Sequence, residues 1–319
     1  MPRIINTINT VNHTKELCLE LHSGKCIGLP TETVYGLAAD ATNGEAVARI
    51  FEMKGRPKFN PLICHVSDFE MAENYGEFSP LAKKIAEAFW PGPLTLVLPI
   101  KAQSPAHSLV TAELGSIGLR CPQGPARAVI AEFGKPLAAP SANRSGRISP
   151  TTAEHVQQEF ADTDLVILDN GPCEVGLEST IVKVTGDQLH LLRPGSVTAE
   201  MIFAETGVQP VAATGGKIEA PGMMKSHYAP NAKVRLNCVD IDDGNIGLLA
   251  FGAALETERP IFNLSEEASL VEAAANLYAG LKYLDDQGVA IICVQPIPNV
   301  DLGIAINDRL HRAAAPRNG

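Results

Sequence analysis

What this sequence lacks already excludes several large classes of protein. No apolar run approaches the roughly 18 residues of a membrane helix, and the opening MPRIINTINT has no apolar segment of the kind found in a secretory signal. Aromatic residues are only 5% of the chain and are not interleaved with basic ones, which argues against a stacking platform for single-stranded nucleic acid. Positive charge is in deficit: 26 Lys and Arg face 36 Asp and Glu, a formal charge of −10. That balance opposes whole-surface attraction to nucleic acid or an anionic membrane, so any anion site must be a local concentration of cations. The seven cysteines, at 18, 26, 64, 121, 173, 238 and 293, are odd in number and form no CxxC, which disfavours a disulfide framework or a zinc ribbon. They are expected to be small buried residues in a reducing, cytoplasmic compartment. The common nucleotide loops are missing too. There is no GxxxxGK[ST], no two glycines stand one residue apart to make GxGxxG, and HExxH and GxSxG are absent.

What is present predicts an α/β protein of two domains. At 319 residues, with 45% hydrophobic and 19% charged residues, the chain can bury a substantial core. Strand-like runs at Lys25–Leu29, Leu62–Val66, Leu94–Leu98, Ile117–Arg120, Leu165–Leu168, Thr180–Val184 and Leu189–Leu192 alternate with helical spacings at Gly44–Met53, Ser79–Trp90, Gly124–Phe133 and Thr152–Phe160. Ser79 is an N-cap with Pro80 at the first helical position, and Trp90-Pro-Gly-Pro93 ends that helix. A Pro-, Gly- and Ala-rich stretch without periodicity then reads as a linker over 208–232. Beyond it, strands Ile246–Phe251 and Val289–Val294 and helices Glu266–Leu284 and Ile304–Ala315 make a small βαβα unit. The expected division is a catalytic domain at 1–207, a linker, and a C-terminal α/β domain at 233–319.

Polar chemistry clusters at the ends of the predicted strands, where α/β proteins hold their ligands. Pro30-Thr-Glu-Thr-Val-Tyr-Gly-Leu37 brings hydroxyls at Thr31, Thr33 and Tyr35 onto one turn, unless Tyr35 is an ordinary core residue. Lys54-Gly-Arg-Pro-Lys-Phe-Asn-Pro-Leu62 packs three cations behind a helix that Gly55 and Pro57 terminate, so Lys54 and Arg56 can converge on carbonate, carboxylate or phosphate. The plain alternative is a solvated basic helix C-terminus. Asn60 and His65 add polar groups beside an apolar strand. Gly115–Pro122 contains Ser116 and Arg120. Ala139–Pro150 packs serines, Asn143 and two arginines into one loop, good chemistry for anions and metal-bound oxygens. Gly176–Val182 and Arg193-Pro-Gly195 close the series. Each alone is consistent with a simple turn; their recurrence in one domain points to a site.

In order, PTETVYGL, KGRPKFNPLICHV, WPGPLTLVL, GLRCP, APSANRSG, GLESTIV and LLRPG resemble the YrdC family of L-threonylcarbamoyladenylate synthases, densely over about residues 10–205. PGMMKSHYAP and AINDRLHRAA resemble its two-domain form. The resemblance implies a twisted mixed sheet flanked by helices around a cationic cavity, with a smaller Rossmann-like C-terminal βαβ domain. It implies that L-threonine, bicarbonate and ATP, with Mg2+ on the phosphates, give threonylcarbamoyl-AMP and pyrophosphate. The product would pass to the downstream machinery that transfers the threonylcarbamoyl group to tRNA. By motif, Lys54 and Arg56 would be catalytic. Thr33, His65, Arg120, Ala139 (through its backbone) and Ser179 would surround threonine. Arg56, Asn60, Ser116, Ser141, Asn143, Ser149 and Arg193 would contact ATP, and Tyr228 of the linker would close over the nucleotide.

The chemistry suits those residue types. A carbamate and a triphosphate are both anions, and Lys54, Arg56, Arg120 and Arg193 would neutralise them in a partly dry cavity. Positioning and charge stabilisation can carry such a reaction without a covalent intermediate, so no serine nucleophile is assigned and His65 is expected to orient rather than to take a proton. The competing readings are an RNA-binding maturation factor, a sugar-phosphate enzyme on the same architecture, and a carbamoyltransferase maturation subunit. The acidic balance opposes the first and the missing Cys clusters oppose the last.

Overall fold

The computed structural model describes residues 1–6, 10–213, 219–222, 226–241 and 244–316. Among the described residues, eleven strands form the main sheet: β1 (Arg3–Asn6), β2 (Ile27–Leu29), β3 (Gly36–Asp40), β4 (Ile63–His65), β5 (Leu94–Pro99), β6 (Ser116–Arg120), β7 (Leu137–Ala138), β8 (Val166–Asp169), β9 (Thr180–Thr185), β10 (Gln188–Arg193) and β11 (Val211–Ala212). They lie in the order β1-β8-β2-β3-β7-β4-β6-β5-β9-β10-β11, with parallel and antiparallel pairs mixed. The expected mixed sheet flanked by helices is therefore present. Four parallel strands, β12 (Lys233–Arg235), β13 (Ile246–Ala250), β14 (Ile261–Asn263) and β15 (Ile291–Val294), make the smaller sheet in the order β12-β15-β13-β14.

The helices begin where capping chemistry allows. Asn43 accepts from the amides of Glu45 and Ala46, and Gly55, in the left-handed region at φ 59°, closes helix Gly44–Lys54. Ser79 caps Ala82 N with Pro80 at the first position, as its sequence predicts. The long C-terminal helix starts at Leu270 under the Ser269 cap, four residues after the expected Glu266, because Ser269 is the residue that accepts from Glu272 N. All seven cysteines are free and buried.

Several elements carry no readable signal. β3 is Gly-Leu-Ala-Ala-Asp, which has no β-branched residue and no alternation because every position is buried. The C-terminal unit has two strands more than the expected βαβα, since β12 and β14 have only three residues each. The stretch expected as linker opens with β11, paired with β10, and its residues 214–218 and 223–225 lie outside those described. The two units share one apolar cluster, in which Val34 and Leu177 of the first pack with Leu277, Tyr278 and Leu281 of the second.

Candidate active site

Strand periodicity assembles the floor of the site. In β4 and β6, paired in parallel with Ile63 opposite Gly118 and His65 opposite Arg120, alternate residues face one side of the sheet. That side receives Ile63, His65, Gly118 and Arg120 and buries Cys64 on the other. β4 and β6 also bring His65 and Arg120 to their carboxyl ends. The loop after β2 adds Thr31 and Thr33, the loop after β7 adds Ala139, Pro140 and Ser141, and Glu178 and Ser179 lead into β9. Arg193 arrives at the end of β10 past a register shift between Leu191 and Arg193. Pro221, Gly222, His227 and Tyr228 of the linker form the roof.

Hydrogen bonds fix these side chains. Arg120 Nη1 donates to Thr33 Oγ1 at 2.9 Å, Nε donates to Gly92 O, and Nη2 is paired with Glu32 Oε1 at 2.8 Å. Thr31 and Thr33 share a hydroxyl hydrogen bond of 2.8 Å. Ser179 Oγ lies 2.7 Å from Thr95 Oγ1 and also accepts from Arg193 Nη2, which donates to Ser179 O as well. Arg56 donates from Nε to Asn60 O and from Nη2 to Pro61 O.

Arg56 and Arg193 are buried in the cavity wall, and among the described residues neither has a carboxylate within salt-bridge distance. Burial pulls the Arg56 guanidinium down to about 9 and also lowers Arg193. Lys54, directly behind, is buried too, and its ammonium lies well below its usual range through burial with Arg56 beside it. A buried cation without a counter-charge is strongly disfavoured, so the two arginines that line the cavity, Arg56 and Arg193, are built to meet an anion. Burial, with Arg120 beside it, pushes His65 down to about 3, which leaves the ring neutral. Among the described residues, His65 Nδ1, His227 Nδ1 and Tyr228 Oη are buried without a hydrogen-bond partner. Three unpartnered polar atoms at one cavity are hydrogen-bonding positions a ligand can fill.

Of the expected site residues, the structure brings Thr33, Arg56, His65, Arg120, Ala139, Ser141, Ser179, Arg193 and Tyr228 to this one cavity, which encloses about 50 Å3. Lys54 does not reach it. Its ammonium donates to the carbonyls of Ser141 and Asn143 and so holds the serine-rich loop in place. Asn60 serves Arg56 through its carbonyl and is not in the cavity wall. Asn143 and Ser149 face a separate cavity of about 110 Å3 against the second unit, and Ser149 Oγ donates to Glu178 Oε1 at 2.6 Å. Ser116 lines a third cavity, of about 580 Å3, together with Val97, Lys183 and Glu219. Tyr35, grouped with the threonines from sequence, points away and donates to Gly171 O at 2.8 Å, so the core reading holds for it.

The sequence reading missed Glu32, Glu178, Arg309 and Tyr278. Glu32 and Glu178 stood inside quoted motifs without a role. Arg309 lies 131 residues from its partner Glu178, so no local signal links them.

Comparison with known proteins agrees with this architecture. The family model named for Sua5, YciO and YrdC, described as telomere recombination, matches residues 20–195, and the model of the threonylcarbamoyl-AMP synthase C-terminal domain matches residues 197–315. The chain is similar to the threonylcarbamoyl-AMP synthase of Bacillus subtilis, at 39% identity over 93% of this chain and 91% of the relative. It is similar to that of Pyrococcus abyssi at 37% identity, over 93% and 92% respectively. Its structure superposes on P. abyssi Sua5 complexed with L-threonine with a TM-score of 0.89 at 33% identity, covering 98% of this chain and 97% of that one. The chain belongs to the Sua5, YciO and YrdC family, in the two-domain form that carries the threonylcarbamoyl-AMP synthase C-terminal domain.

Proposed function

We propose that the cavity joins L-threonine, bicarbonate and ATP into threonylcarbamoyl-AMP, the first step towards t6A in tRNA, and so acts as a nucleotidyltransferase. The observation that carries this reading is the pair of buried arginines, Arg56 and Arg193, neither with a carboxylate within salt-bridge distance among the described residues, converging with a set of hydroxyls and a neutral histidine. In the working division, residues 1–207 are catalytic, 208–232 cover the site and 233–319 form the second domain.

The threonine amine and bicarbonate give a carbamate and water. A carbamate oxygen then bonds to the α-phosphorus of ATP as the bond to the β-phosphate oxygen breaks and pyrophosphate leaves. Arg120, already oriented by Glu32 and Gly92, is placed to hold the threonine carboxylate. Arg56 and Arg193 stabilise charge on the phosphates, where fixed donors act most strongly. Lys54 acts through the loop it pins, which presents Ser141. His65, uncharged, offers Nδ1 to the threonine hydroxyl and is no proton acceptor near neutral pH. Ser116 is four residues from Arg120, about 13 Å along β6, a span for a nucleotide lying across this sheet face. No group of three or more Asp, Glu, His or Cys among the described residues is arranged to hold a metal. Mg2+ would therefore arrive as part of the Mg-ATP substrate.

Pro221, Gly222, His227 and Tyr228 cover a cavity of about 50 Å3, room for only a few waters, so these residues are expected to move as threonine and ATP enter. Tyr228 holds φ at 62°, a strained value for a bulky residue that persists only where surrounding packing imposes it. Gly222, at φ 82°, leaves no space for a side chain: a Cβ would stand 2.8 Å from Tyr228 Oη and 3.0 Å from Arg193 Cδ. Gly222→Ala is expected to hold the roof ajar and to raise the KM for ATP, measured by pyrophosphate release, with a lowered melting temperature because alanine is strained at this φ.

The defining experiment incubates the full chain with threonine, bicarbonate and Mg-ATP and detects threonylcarbamoyl-AMP by mass, with pyrophosphate release that depends on threonine. Pyrophosphate release without threonine, or none with all three substrates, overturns the reading. Substrate preference tests the pocket. Valine is expected to be used at least ~10^3-fold less well than threonine, because a site built to bond a hydroxyl is left unpaired by its loss, whereas serine should lose about 10- to 100-fold for one methyl. Comparable kcat/KM for valine would contradict the role of His65.

A further inference from the structure

Glu178 is the only carboxylate in the wall of the substrate cavity among the described residues. An exposed negative charge there would repel both the carbamate and the triphosphate. The structure saturates it from the second unit. Arg309 of helix Leu302–Ala314 donates from Nε to Glu178 Oε2 at 2.8 Å, and Tyr278 of helix Leu270–Asp286 donates to the same oxygen at 2.8 Å. Ser149 takes Oε1. Burial alone would raise this carboxyl, but Arg309 and Arg193 hold it down at about 2, so it is a permanent anion.

The same two helices hold the roof. The Arg309 guanidinium stands 5.4 Å from the centre of the Tyr228 ring, and Tyr278 lies 5.6 Å from it on another side. His227 N donates to Arg312 O at 3.2 Å. The loop bearing Glu178 is pressed onto the second unit as well: a Cβ on Gly176 would stand 2.5 Å from the backbone of Ala275. Arg309 has no contact with the cavity itself, yet it is fully buried and donates to Pro194 O beside Arg193.

We propose that the second unit is a positioning element for the synthase site: Arg309 neutralises Glu178, Tyr278 fixes its carboxylate by a hydrogen bond, and Arg309 seats Tyr228 over the substrates. The proposal rests on reading the cavity as the synthase site. Arg309 is thereby a positioning residue, and the unit that carries it sets nucleotide affinity without supplying a group to the reaction.

The test uses the full chain with Arg309→Met, Tyr278→Phe, and Arg309→Met combined with Glu178→Gln. Arg309→Met is expected to raise the KM for ATP ~10-fold or more through the unpaired like charge, with a smaller change in kcat. Tyr278→Phe, which removes one hydroxyl and keeps the packing, should show a smaller rise in the same direction and remains informative if Arg309→Met fails to fold. Removing the unpaired charge in the double variant should restore much of the ATP affinity, a rescue that a merely structural role would not produce. Hydrogen exchange supplies a readout independent of turnover: amides in peptides containing Tyr228 should exchange faster in Arg309→Met, while those of β5 stay unchanged. An unchanged KM for ATP with unchanged exchange at Tyr228 overturns the proposal, and so does a raised KM that Glu178→Gln fails to reverse. Wild-type protein that makes no threonylcarbamoyl-AMP would refute the synthase reading alone, and the exchange comparison would still decide whether Arg309 seats Tyr228.

Discussion

Arg56→Met is expected to lower threonylcarbamoyl-AMP synthesis about a thousandfold, in line with losing a fixed donor to developing charge, while the protein without substrate melts within a few degrees of wild type. The two halves of this expectation come from the same observation. Sequence alone allowed Arg56 to be a solvated cation beyond a helix end, easily removed. The structure instead buries it, with two backbone carbonyls and, among the described residues, no carboxylate within salt-bridge distance. Losing the donors to Asn60 O and Pro61 O costs about 1–3 kcal/mol. Against that, a pKa held down to about 9 means that the fold disfavours the charged guanidinium, so a neutral side chain of similar volume relieves that strain. Anion binding should show the reverse. The rise in melting temperature that Mg-ATP produces by mass action in the wild type should largely vanish in the variant. Normal turnover in Arg56→Met, or an undiminished ATP-induced shift, would remove Arg56 from the reaction.

Between pH 7 and pH 5 the folded protein should lose about 4 kcal/mol of stability, roughly 2 from each of two histidines by linkage. His65 and His227 are both buried, and both are pushed down to about 3, His65 by burial with Arg120 beside it, His227 by burial with Arg56, Lys54 and Arg193 nearby. In the unfolded chain an imidazole titrates near 6.5. Below that value the unfolded state binds a proton that the folded state refuses, so stability falls as pH falls, progressively down to about 3. Glu178, held at about 2, adds a loss of the same sign only below the ordinary carboxylate range. Denaturant unfolding at pH 7, 6 and 5 measures the slope. Replacing His227 with Asn should roughly halve it. A stability flat from pH 7 to 5 would mean that neither ring is as shielded as its surroundings here require.

The degree to which the site was legible follows from where each residue's partner lies. The KGRPKFNP run announced a cation cluster because Gly55 and Pro57 are local signals that the chain must leave its helix, and the structure places Gly55 in the left-handed region. The strand bearing His65 was readable as an apolar run. The division of labour between Lys54 and Arg56 was not. Both are basic and two residues apart, and only the fold sends one to the carbonyls of Ser141 and Asn143 and the other to the cavity. Tyr35 shows the same limit in reverse: its hydroxyl looked like part of the threonine turn until Asp169 of β8 and Gly171 just beyond it became its partners.

By itself the sequence determined the layered α/β class, the Ser79 helix start and the helices at about Gly44–Met53 and Thr152–Phe160, the buried free cysteines, and the ordered motifs that mark the family. All of these depend on neighbours within a few residues, on periodicity or on composition, which the chain carries before it folds. Tertiary structure alone decided that Arg56 and Arg193 are buried with no carboxylate within salt-bridge distance among the described residues, that Arg120 is paired with Glu32, that Ser149 faces Glu178, and that Arg309 and Tyr278 of the second unit close the network around the site. Electrostatic environment is a property of burial and of partners far apart in the chain, so it exists only once the two units have packed together.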